Sequence, residues 1–439
     1  MKKGFIPGFI TGLIACIILV VAVACGAENR KGKNVTDNQS NTSVDNNNST
    51  IADNTTVTPA VTGTPTATPK LTPPADDLDD TDFETKVAAI ARLLKMYYYQ
   101  DVDFNDVVDG MYHGMVSGIG DPYTQYFSED EMNAFTESTS GVYAGIGAAV
   151  SVGENGYPEL NKVFADGPAD KAGMLPGDYI IEIEGEDIHN LSLDIAVTKM
   201  RGEEGTEVHV TVYRKGEPDY LHMTVIRGKI EVPTVEWKMI PDTELGYIIV
   251  SEFDEVTDKQ FSKAVEELTA QGMKGLVIDL RSNPGGLLTT VVNMLDRVMP
   301  EDKLLVYMDD KAGNRDTYKS TNPDSIDMPI AILMNGYSAS ASEVFAGCLQ
   351  DYGKAILVGT QSFGKGIVQT LIPLADGSGI KVTIASYFTP NGRSIHLTGL
   401  TPDIEVELDP ELKKKSTVKM EEDNQLAKAV EALKERIGK

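Results

Sequence analysis

The sequence predicts an α/β core over residues 229–410. Short apolar segments at 246–253, 275–280 and 329–334 have the composition and length of buried strands. Helical periodicity occurs between them, at 258–271 and 287–299. Regular alternation of strands and helices is typical of α/β architecture, so this class is expected for the largest part of the chain.

Charge and cysteine content exclude several classes of function. The chain has 39 Lys and Arg against 66 Asp and Glu, a net charge of −27. Nucleic acids and anionic membranes require a basic face, so neither is expected as a partner. Cys16, Cys25 and Cys348 lack metal-ligand spacing, and none of the five histidines lies in an HExxH motif. No metal or organic cofactor is predicted.

The N-terminus, residues 1–26, predicts export from the cytoplasm. Lys2 and Lys3 precede an uncharged apolar run over 5–24, which is typical of a signal peptide or a single-span anchor. Cys25 follows a sequence resembling a bacterial lipobox, although Ala22 stands where Leu is usual. Lipoprotein and single-span anchor both remain open. Either one tethers the protein on the extracytoplasmic side of a bacterial cell membrane.

Residues 27–80 are rich in Asn, Thr, Asp, Ser and Pro and predict a disordered linker. Residues 81–138 predict a helical region. Its first helix carries Phe83, Ile90 and Leu94 on one face, and a second helix is expected over 104–117. The tyrosines at 97–99 are expected to be packing residues rather than a ligand site.

Two further modules are predicted on either side of the core. Residues 139–228 contain strand patterns at 179–184 and around Val208, a helix at 193–200, and a Gly-rich loop at 143–147. Residues 411–439 end in an amphipathic helix at 424–437. This helix is expected to dock on the body or on a second copy of the chain in a homodimer.

The segment 335–369 carries the most distinctive chemistry. Ser338, Ser340 and Ser342 alternate at the start of a predicted helix, where unpaired N–H groups and the helix dipole can stabilise an oxyanion. Lys365 follows, between Gly364 and Gly366, where burial could remove its charge. These are the parts of a Ser-Lys hydrolase, and the local pattern does not choose among the three serines.

A phosphate-binding loop is the competing interpretation of the same segment. Residues 359–365 fit the first seven positions of GxxxxGK. The eighth residue is Gly366, where Mg²⁺ binding requires a Ser or Thr hydroxyl, and the residues after it predict a strand rather than a helix. We therefore reject nucleotide binding.

Several motifs in a fixed order carry a family resemblance. They are SASASE with FGKG and Gln369, GMVSGIGDPYTQYF (114–127), GPADKAGMLPGDYIIEIEG (167–185), DLRSNPGG (279–286), TPNGRSI and TPDIEV. Together they resemble the carboxyl-terminal processing peptidases, or tail-specific proteases, over about residues 81–439. The resemblance implies a crotonase/Clp-protease-like β-spiral protease core with an inserted PDZ domain and flanking helices.

The resemblance also implies roles for individual residues. The middle serine, Ser340, is the nucleophile, Lys365 is the base, and Gln369 positions the lysine. The oxyanion hole is formed by the N–H of Ala341 with that of Gly285 or Gly286. The residues implied in the PDZ domain bind the peptide or link the domain to the protease: Gly145, Ile146, Gly147 and Arg201.

The function expected from these observations is a serine endopeptidase. It would cleave extracytoplasmic proteins near their C-termini, with the PDZ domain recognising exposed C-terminal tails of protein or peptide substrates. The alternative from another class is a non-catalytic PDZ scaffold that binds exposed C-termini. A non-peptidic hydrolase on the same fold is a third hypothesis, which the PDZ domain disfavours.

Overall fold

The computed structural model describes residues 80–189, 191–415 and 418–438. The predicted anchor and all but the last residue of the predicted linker lie outside these ranges. The chain divides into two units, residues 1–93 and 94–439. Within the described ranges, every helix is too short or too polar to span a membrane.

The helices are α1 (Asp80–Tyr97), α2 (Phe104–Ser117), α3 (Glu129–Ser140), α4 (Pro168–Lys171), α5 (Leu193–Met200), α6 (Thr257–Ala270), α7 (Leu288–Val298), α8 (Ala341–Asp351) and α9 (Asn424–Ile437). The strands are β1 (Gln125–Phe127), β2 (Val142–Gly145), β3 (Ala148–Val152), β4 (Pro158–Val163), β5 (Tyr179–Ile183), β6 (Glu186–Asp187), β7 (Glu207–Tyr213), β8 (Leu221–Ile226), β9 (Gly228–Glu231), β10 (Val235–Met239), β11 (Leu245–Val250), β12 (Gly275–Asp279), β13 (Leu304–Asp310), β14 (Arg315–Lys319), β15 (Ile330–Met334), β16 (Ala355–Gly359), β17 (Ile367–Pro373), β18 (Gly379–Phe388) and β19 (Ile404–Glu405).

The central sheet has the order β10-β11-β12-β15-β16-β19. Its strands run parallel from β11 to β19, and β10 is antiparallel at one edge. Every residue of β12 and β15 is buried, as expected of parallel strands covered on both faces. The carboxyl ends of β12, β15 and β16 meet at one edge, where α/β folds commonly bind ligands.

Helices cover both faces of this sheet. Leu276 and Ile278 of β12 pack in one cluster with α6, α7 and α8, while Val277 packs in another with α9. Leu426, Ala429 and Leu433 of α9 are buried in that second cluster. The predicted docking of the last helix on the body is therefore confirmed, and a homodimer stays a prediction.

A second sheet is formed mainly by other strands of the core region. Its order is β1-β18-β13-β14, with β17 paired to β18. The β17–β18 pair is antiparallel and places Gln369 opposite Thr383. β1 also pairs with β18, so a strand from the N-terminal region completes this sheet. The sequence predicted a helical region over 81–138, and β1 was missed because it is three residues long and its partner is distant in sequence.

The third sheet has the order β3-β4-β5-β7-β8, with β6 on β5. It encloses a separate core that includes Leu160, Ile180 and Val210. β3 is the edge strand, and α5 contributes Ala196 and Met200 to the same core. A small β2–β9 ladder joins the two ends of this module.

Several predicted helices are confirmed with their bounds: α2, α5 and α9. The prediction that tyrosines 97–99 pack is wrong, because Tyr97 and Tyr99 are 75% and 83% exposed. The apolar residues of α1, such as Ile90, are likewise exposed. Helical periodicity predicts that a helix forms, but it does not by itself decide whether the apolar face is buried.

Candidate active site

The three serines lie in the loop and helix that follow β15. The Ser338 hydroxyl donates to the Leu280 carbonyl at 2.7 Å and accepts from the Asn335 amide at 3.0 Å. The Ser342 hydroxyl donates to the Asn283 carbonyl at 3.0 Å. Both hydroxyls are buried and engaged in attaching this loop to the one after β12. These contacts give Ser338 and Ser342 structural roles.

Ser340 differs from its two neighbours. It is half-buried, and it precedes the first residue of α8. Its backbone has φ 54° and ψ −115°, a region that residues other than glycine rarely occupy. Its hydroxyl donates no hydrogen bond within the described residues, so its proton is available to a base.

Glu343 joins the segments that carry Ser340 and Lys365. Its Oε2 accepts the amide N–H groups of Ser340 and Lys365, both at 2.9 Å. Its Oε1 accepts the Gly364 amide at 2.7 Å and the Ser362 hydroxyl at 2.5 Å. The side chain is 1% exposed, and burial raises its pKa, while these four hydrogen bonds oppose the rise.

Tyr387 forms a second bridge between the same two residues. Its hydroxyl donates to the Ser340 carbonyl at 3.0 Å and also contacts the Lys365 carbonyl. The residue is 2% exposed, and burial raises the pKa of its phenol, so the hydroxyl keeps its proton. Two side chains, one acceptor and one donor, therefore hold the backbones of Ser340 and Lys365 together.

Lys365 is in an environment that disfavours its charge. Burial, assisted by the positive charge of Lys381, lowers its pKa to about 8. The negative charges of Asp121 and Glu343 oppose this shift. Its Nζ lies 4.7 Å from the centre of the Tyr123 ring. No hydrogen bond within the described residues joins this Nζ to Ser340 or Gln369.

Gln369 is half-buried on β17, close to the lysine in sequence. Its Nε2 donates two long hydrogen bonds, to the Ile367 carbonyl at 3.4 Å and to the Thr383 hydroxyl at 3.3 Å. Its Oε1 accepts no hydrogen bond among the described residues. The lysine-positioning role of Gln369 stays a prediction.

The loop at 280–286 lies against the nucleophile. A Cβ added to Gly285 would lie 2.7 Å from the Ser340 Cβ and 3.0 Å from the Ala341 nitrogen, so only glycine fits there. Asn283 is fully buried, and its Oδ1 accepts the Gly285 amide at 2.9 Å. The amides of Gly286 and Ala341 donate no hydrogen bond within the described part of the chain.

The predicted peptide-binding residues precede the edge strand β3. The Ile146 side chain is buried in the core of its module, and Gly147 has φ 75°. Their carbonyls accept hydrogen bonds from Ala169 and Phe164, whereas their own amides donate to no described residue. Gly145 ends β2, opposite Gly228. Capture of a terminal carboxylate requires free backbone amides beside an edge strand, and the amides of Ile146 and Gly147 meet this requirement.

Arg201 ends α5 and is not a free surface side chain. Its guanidinium pairs with Glu137 of α3 and lies 4.8 Å from the centre of the Tyr143 ring. The neighbouring Gly202 amide donates to the Ala144 carbonyl at 3.3 Å. Arg201 therefore links the end of α5 to α3 and to β2.

Sequence reasoning missed Glu343, Asn283, Tyr387 and Tyr123. Glu343 had a local signal, since Ser-x-x-Glu at the start of a helix is a capping box. Tyr387, on β18, had none, whereas Tyr123 lies in the matched motif 114–127, which gave it no individual role. Over the described ranges, no group of three His, Cys, Asp or Glu side chains is placed to hold a metal ion.

Comparison with known proteins places this geometry in a family. Three family models match the chain. Peptidase family S41 matches residues 244–406, the PDZ domain matches 161–214, and the Activating protease CtpB N-terminal domain matches 30–131. The S41 range contains Ser340 and Lys365. The PDZ range includes Arg201 but begins after Gly147.

Named relatives support the same assignment. The chain is 36% identical to carboxy-terminal processing protease CtpB of Bacillus subtilis (strain 168), covering 73% of this chain and 67% of the relative. It is 33% identical to CtpA of the same organism, covering 75% and 70%. It is 35% identical to the carboxy-terminal-processing protease of Bartonella bacilliformis (strain ATCC 35685 / KC583 / Herrer 020/F12,63), covering 72% and 74%.

A solved structure of photosystem II D1 C-terminal processing protease is 29% identical, with a TM-score of 0.43, covering 73% of this chain and 88% of that chain. The relatives at 33% to 36% identity show that this chain belongs to the carboxy-terminal processing proteases of peptidase family S41, with a PDZ domain. The predicted family and fold class are confirmed.

The backbone of Ser340 gives a prediction that does not depend on activity. Ser340→Gly should unfold at a higher temperature than Ser340→Ala, since glycine occupies this φ and ψ without strain. The backbone strain of a non-glycine residue costs about 1–3 kcal/mol of folding free energy. Glycine avoids this strain but loses about 0.5–1 kcal/mol, because its unfolded chain is more flexible. The net advantage of Ser340→Gly over Ser340→Ala is therefore about 1 kcal/mol. Thermal unfolding measures the difference. At Ser338, where φ is negative, the order should reverse, and the same order at both positions would contradict the assignment of strain.

Proposed function

We propose that this protein is a serine endopeptidase that uses a Ser340–Lys365 dyad to cleave extracytoplasmic proteins near their C-termini. The family assignment supports proteolysis. The observation that carries the dyad is the double bridge between the two residues, which lie 25 positions apart in sequence. Their amides share Glu343 Oε2, and their carbonyls share the Tyr387 hydroxyl.

The chemistry follows from the protonation state of the lysine. A serine hydroxyl is a weak nucleophile unless a base removes its proton in the transition state. With a pKa of about 8, Lys365 is neutral in a usable fraction of molecules near neutral pH and can accept that proton. The Ser340 Oγ then attacks the scissile carbonyl carbon, and the lysine ammonium returns the proton to the leaving amine.

The developing oxyanion needs donors that are not already occupied. The Ala341 amide is in the first turn of α8, where the helix dipole also favours negative charge. Of the two glycines expected to provide the second donor, Gly285 already donates to Asn283. The Gly286 amide is unoccupied among the described residues, so we assign the second donor to Gly286.

We further propose that the PDZ domain binds the substrate's C-terminal tail. The tail would add as a strand to β3, with its carboxylate at the amides of Ile146 and Gly147. The uncharged run at 5–24 supports tethering outside the cytoplasm, and separating membrane and soluble fractions of the full-length protein would test this.

A turnover assay distinguishes the enzyme from a non-catalytic scaffold. Ser340→Ala and Lys365→Ala should each abolish hydrolysis of a peptide while keeping the fold, because the nucleophile or its base is removed. A tuned general base contributes about 10² to 10⁴-fold. Ser338→Ala and Ser342→Ala are matched controls that should retain substantial activity. Parent-like turnover by Ser340→Ala would exclude this mechanism.

The activity should depend on pH through Lys365. Below about pH 8 most of the amine is protonated and only the neutral fraction can act as a base, so kcat/KM should rise with pH and level off above about 8. Lys381→Met removes a neighbouring positive charge and should move the midpoint to higher pH. A pH profile of kcat/KM measures both effects. The same midpoint in Lys381→Met and in the parent would count against Lys365 as the titrating group.

Arg201 should couple tail binding to turnover. Arg201→Ala removes the link between α5, Glu137 and Tyr143, so it should weaken stimulation of turnover by a tail peptide more than it weakens binding of that peptide. Parallel binding and activation curves measure the two effects. Lys199→Ala, which breaks an exposed ion pair on the same helix, is the control. Identical activation curves for Arg201→Ala and the parent would refute coupling.

A further inference from the structure

The segment 120–127, Gly-Asp-Pro-Tyr-Thr-Gln-Tyr-Phe, lies beside the base although it belongs to the N-terminal region. Its last three residues form β1, which pairs with β18 so that Gln125 is opposite Lys381. β18 pairs in turn with β17, where Gln369 is opposite Thr383. The segment is therefore fixed on the hairpin that carries Gln369.

Asp121 is the centre of a hydrogen-bond cluster in this segment. Its Oδ2 accepts the hydroxyls of Thr124 and Thr383, each at 2.6 Å, and its Oδ1 accepts the Tyr123 amide at 3.0 Å. Burial favours the neutral acid, but these hydrogen bonds prevail and hold the pKa of Asp121 below its usual value. The carboxylate is therefore ionised and can only accept hydrogen bonds.

The ionised carboxylate determines which way the Thr383 hydroxyl points. A hydroxyl has one proton, and Thr383 must give it to Asp121, which has none to donate. The remaining lone pairs of Thr383 Oγ1 can then only accept, and the donor within reach is Gln369 Nε2 at 3.3 Å. The Ile367 carbonyl, at 3.4 Å from the same nitrogen, is also only an acceptor.

This arrangement fixes the orientation of the Gln369 amide. The two ends of a glutamine amide are nearly the same shape, and only hydrogen-bond partners decide which end is nitrogen. Two acceptors surround the nitrogen end of Gln369, so its oxygen is directed away from them. Turning the amide over would bring its oxygen against two other oxygens.

We propose that Asp121 and Thr383 are positioning residues for the base: through the Asp121–Thr383–Gln369 relay they hold the Gln369 amide so that its oxygen is available to the Lys365 amine. The inference rests on the proposed Ser340–Lys365 mechanism. The relay acts on the lysine through Gln369 and does not touch the substrate. A second contact from the same segment, the Tyr123 ring against Lys365 Nζ, places this segment at the amine.

The groups that face Lys365 come from several elements. Lys381, on β18, disfavours the positive charge of Lys365. Asp121, before β1, and Glu343, on α8, favour that charge. Tyr123 and Tyr387 are neutral, because burial raises the pKa of each phenol. Removing the Asp121 carboxylate should therefore change both the charge near Lys365 and the hydrogen-bond relay, while a change at Thr383 affects only the relay.

Thr383→Val is the first test, since valine keeps the shape of threonine and removes only the hydroxyl. The Thr383 amide still donates to Thr124, so the hairpin keeps its attachment to the segment. We expect kcat to fall about 10- to 100-fold, as misplacement of a catalytic group does, with the KM and the midpoint of the pH profile unchanged. Thr383→Ser restores a hydroxyl and should recover most of the loss.

Asp121→Asn is the second test and separates charge from orientation. An asparagine can donate as well as accept, so it no longer fixes the Thr383 proton, and kcat should fall. The lost negative charge should also move the midpoint of kcat/KM to lower pH, which Thr383→Val should not do. Thr370→Val is the control: it removes a threonine hydroxyl from β17, the strand paired with the one that carries Thr383, on the opposite face from Gln369, and should keep the parent's kcat.

The outcomes distinguish the relay from the mechanism on which it rests. If the parent lacks hydrolysis that depends on Ser340 and Lys365, the proposed function fails and the relay with it. If the parent is active and Thr383→Val retains the parent's kcat, only the relay is overturned. Thermal unfolding of each variant identifies loss of structure. Should Thr383→Val unfold, Asp121→Asn decides, and a parent-like kcat of that variant refutes the relay whatever its midpoint.

Discussion

The active site depends on one buried carboxylate. Glu343 accepts four hydrogen bonds, and three of them come from the backbone of the loops that carry Ser340 and Lys365. A buried charge is tolerated only when its hydrogen bonds are satisfied, and an ionised carboxylate has enough acceptor sites for all four. An amide at this position would offer one acceptor oxygen instead of two. The same group thus fixes the nucleophile relative to the base.

The contacts of Glu343 and Tyr387 also maintain a strained backbone conformation at Ser340. A serine held at φ 54° is unfavourable by itself and persists only because surrounding contacts hold it. Glu343 holds the Ser340 amide, Tyr387 holds its carbonyl, and Gly285 leaves just enough space beside its Cβ. The hydroxyl, which donates no hydrogen bond to the described residues, is thereby held at the start of α8.

The lysine is controlled by a balance of opposing effects. Burial and Lys381 favour the neutral amine, while Asp121 and Glu343 favour the ammonium, and the net result is a pKa of about 8. Because the unfolded chain would hold this proton up to a pKa near 10.4, the folded state binds fewer protons between about pH 8 and 10.4. The stability contributed by this group therefore rises with pH across that window, and the buried ammonium is least favourable below pH 8.

The sequence by itself determined the α/β alternation, the bounds of helices such as α2 and α9, and the residues that match the family, Ser340 and Lys365 among them. These features are local, because periodicity and short motifs act over a few residues. Only the tertiary structure decided which atoms meet at the site. Tyr387 and Thr383 reach it from β18, and Asp121 reaches it from the turn before β1 in the N-terminal region. Periodicity within one segment does not encode a contact between distant segments. Burial decided the protonation of the base. The pKa of Lys365 is lowered mainly because the folded chain excludes water from the amine, and this exclusion is a property of the assembled core.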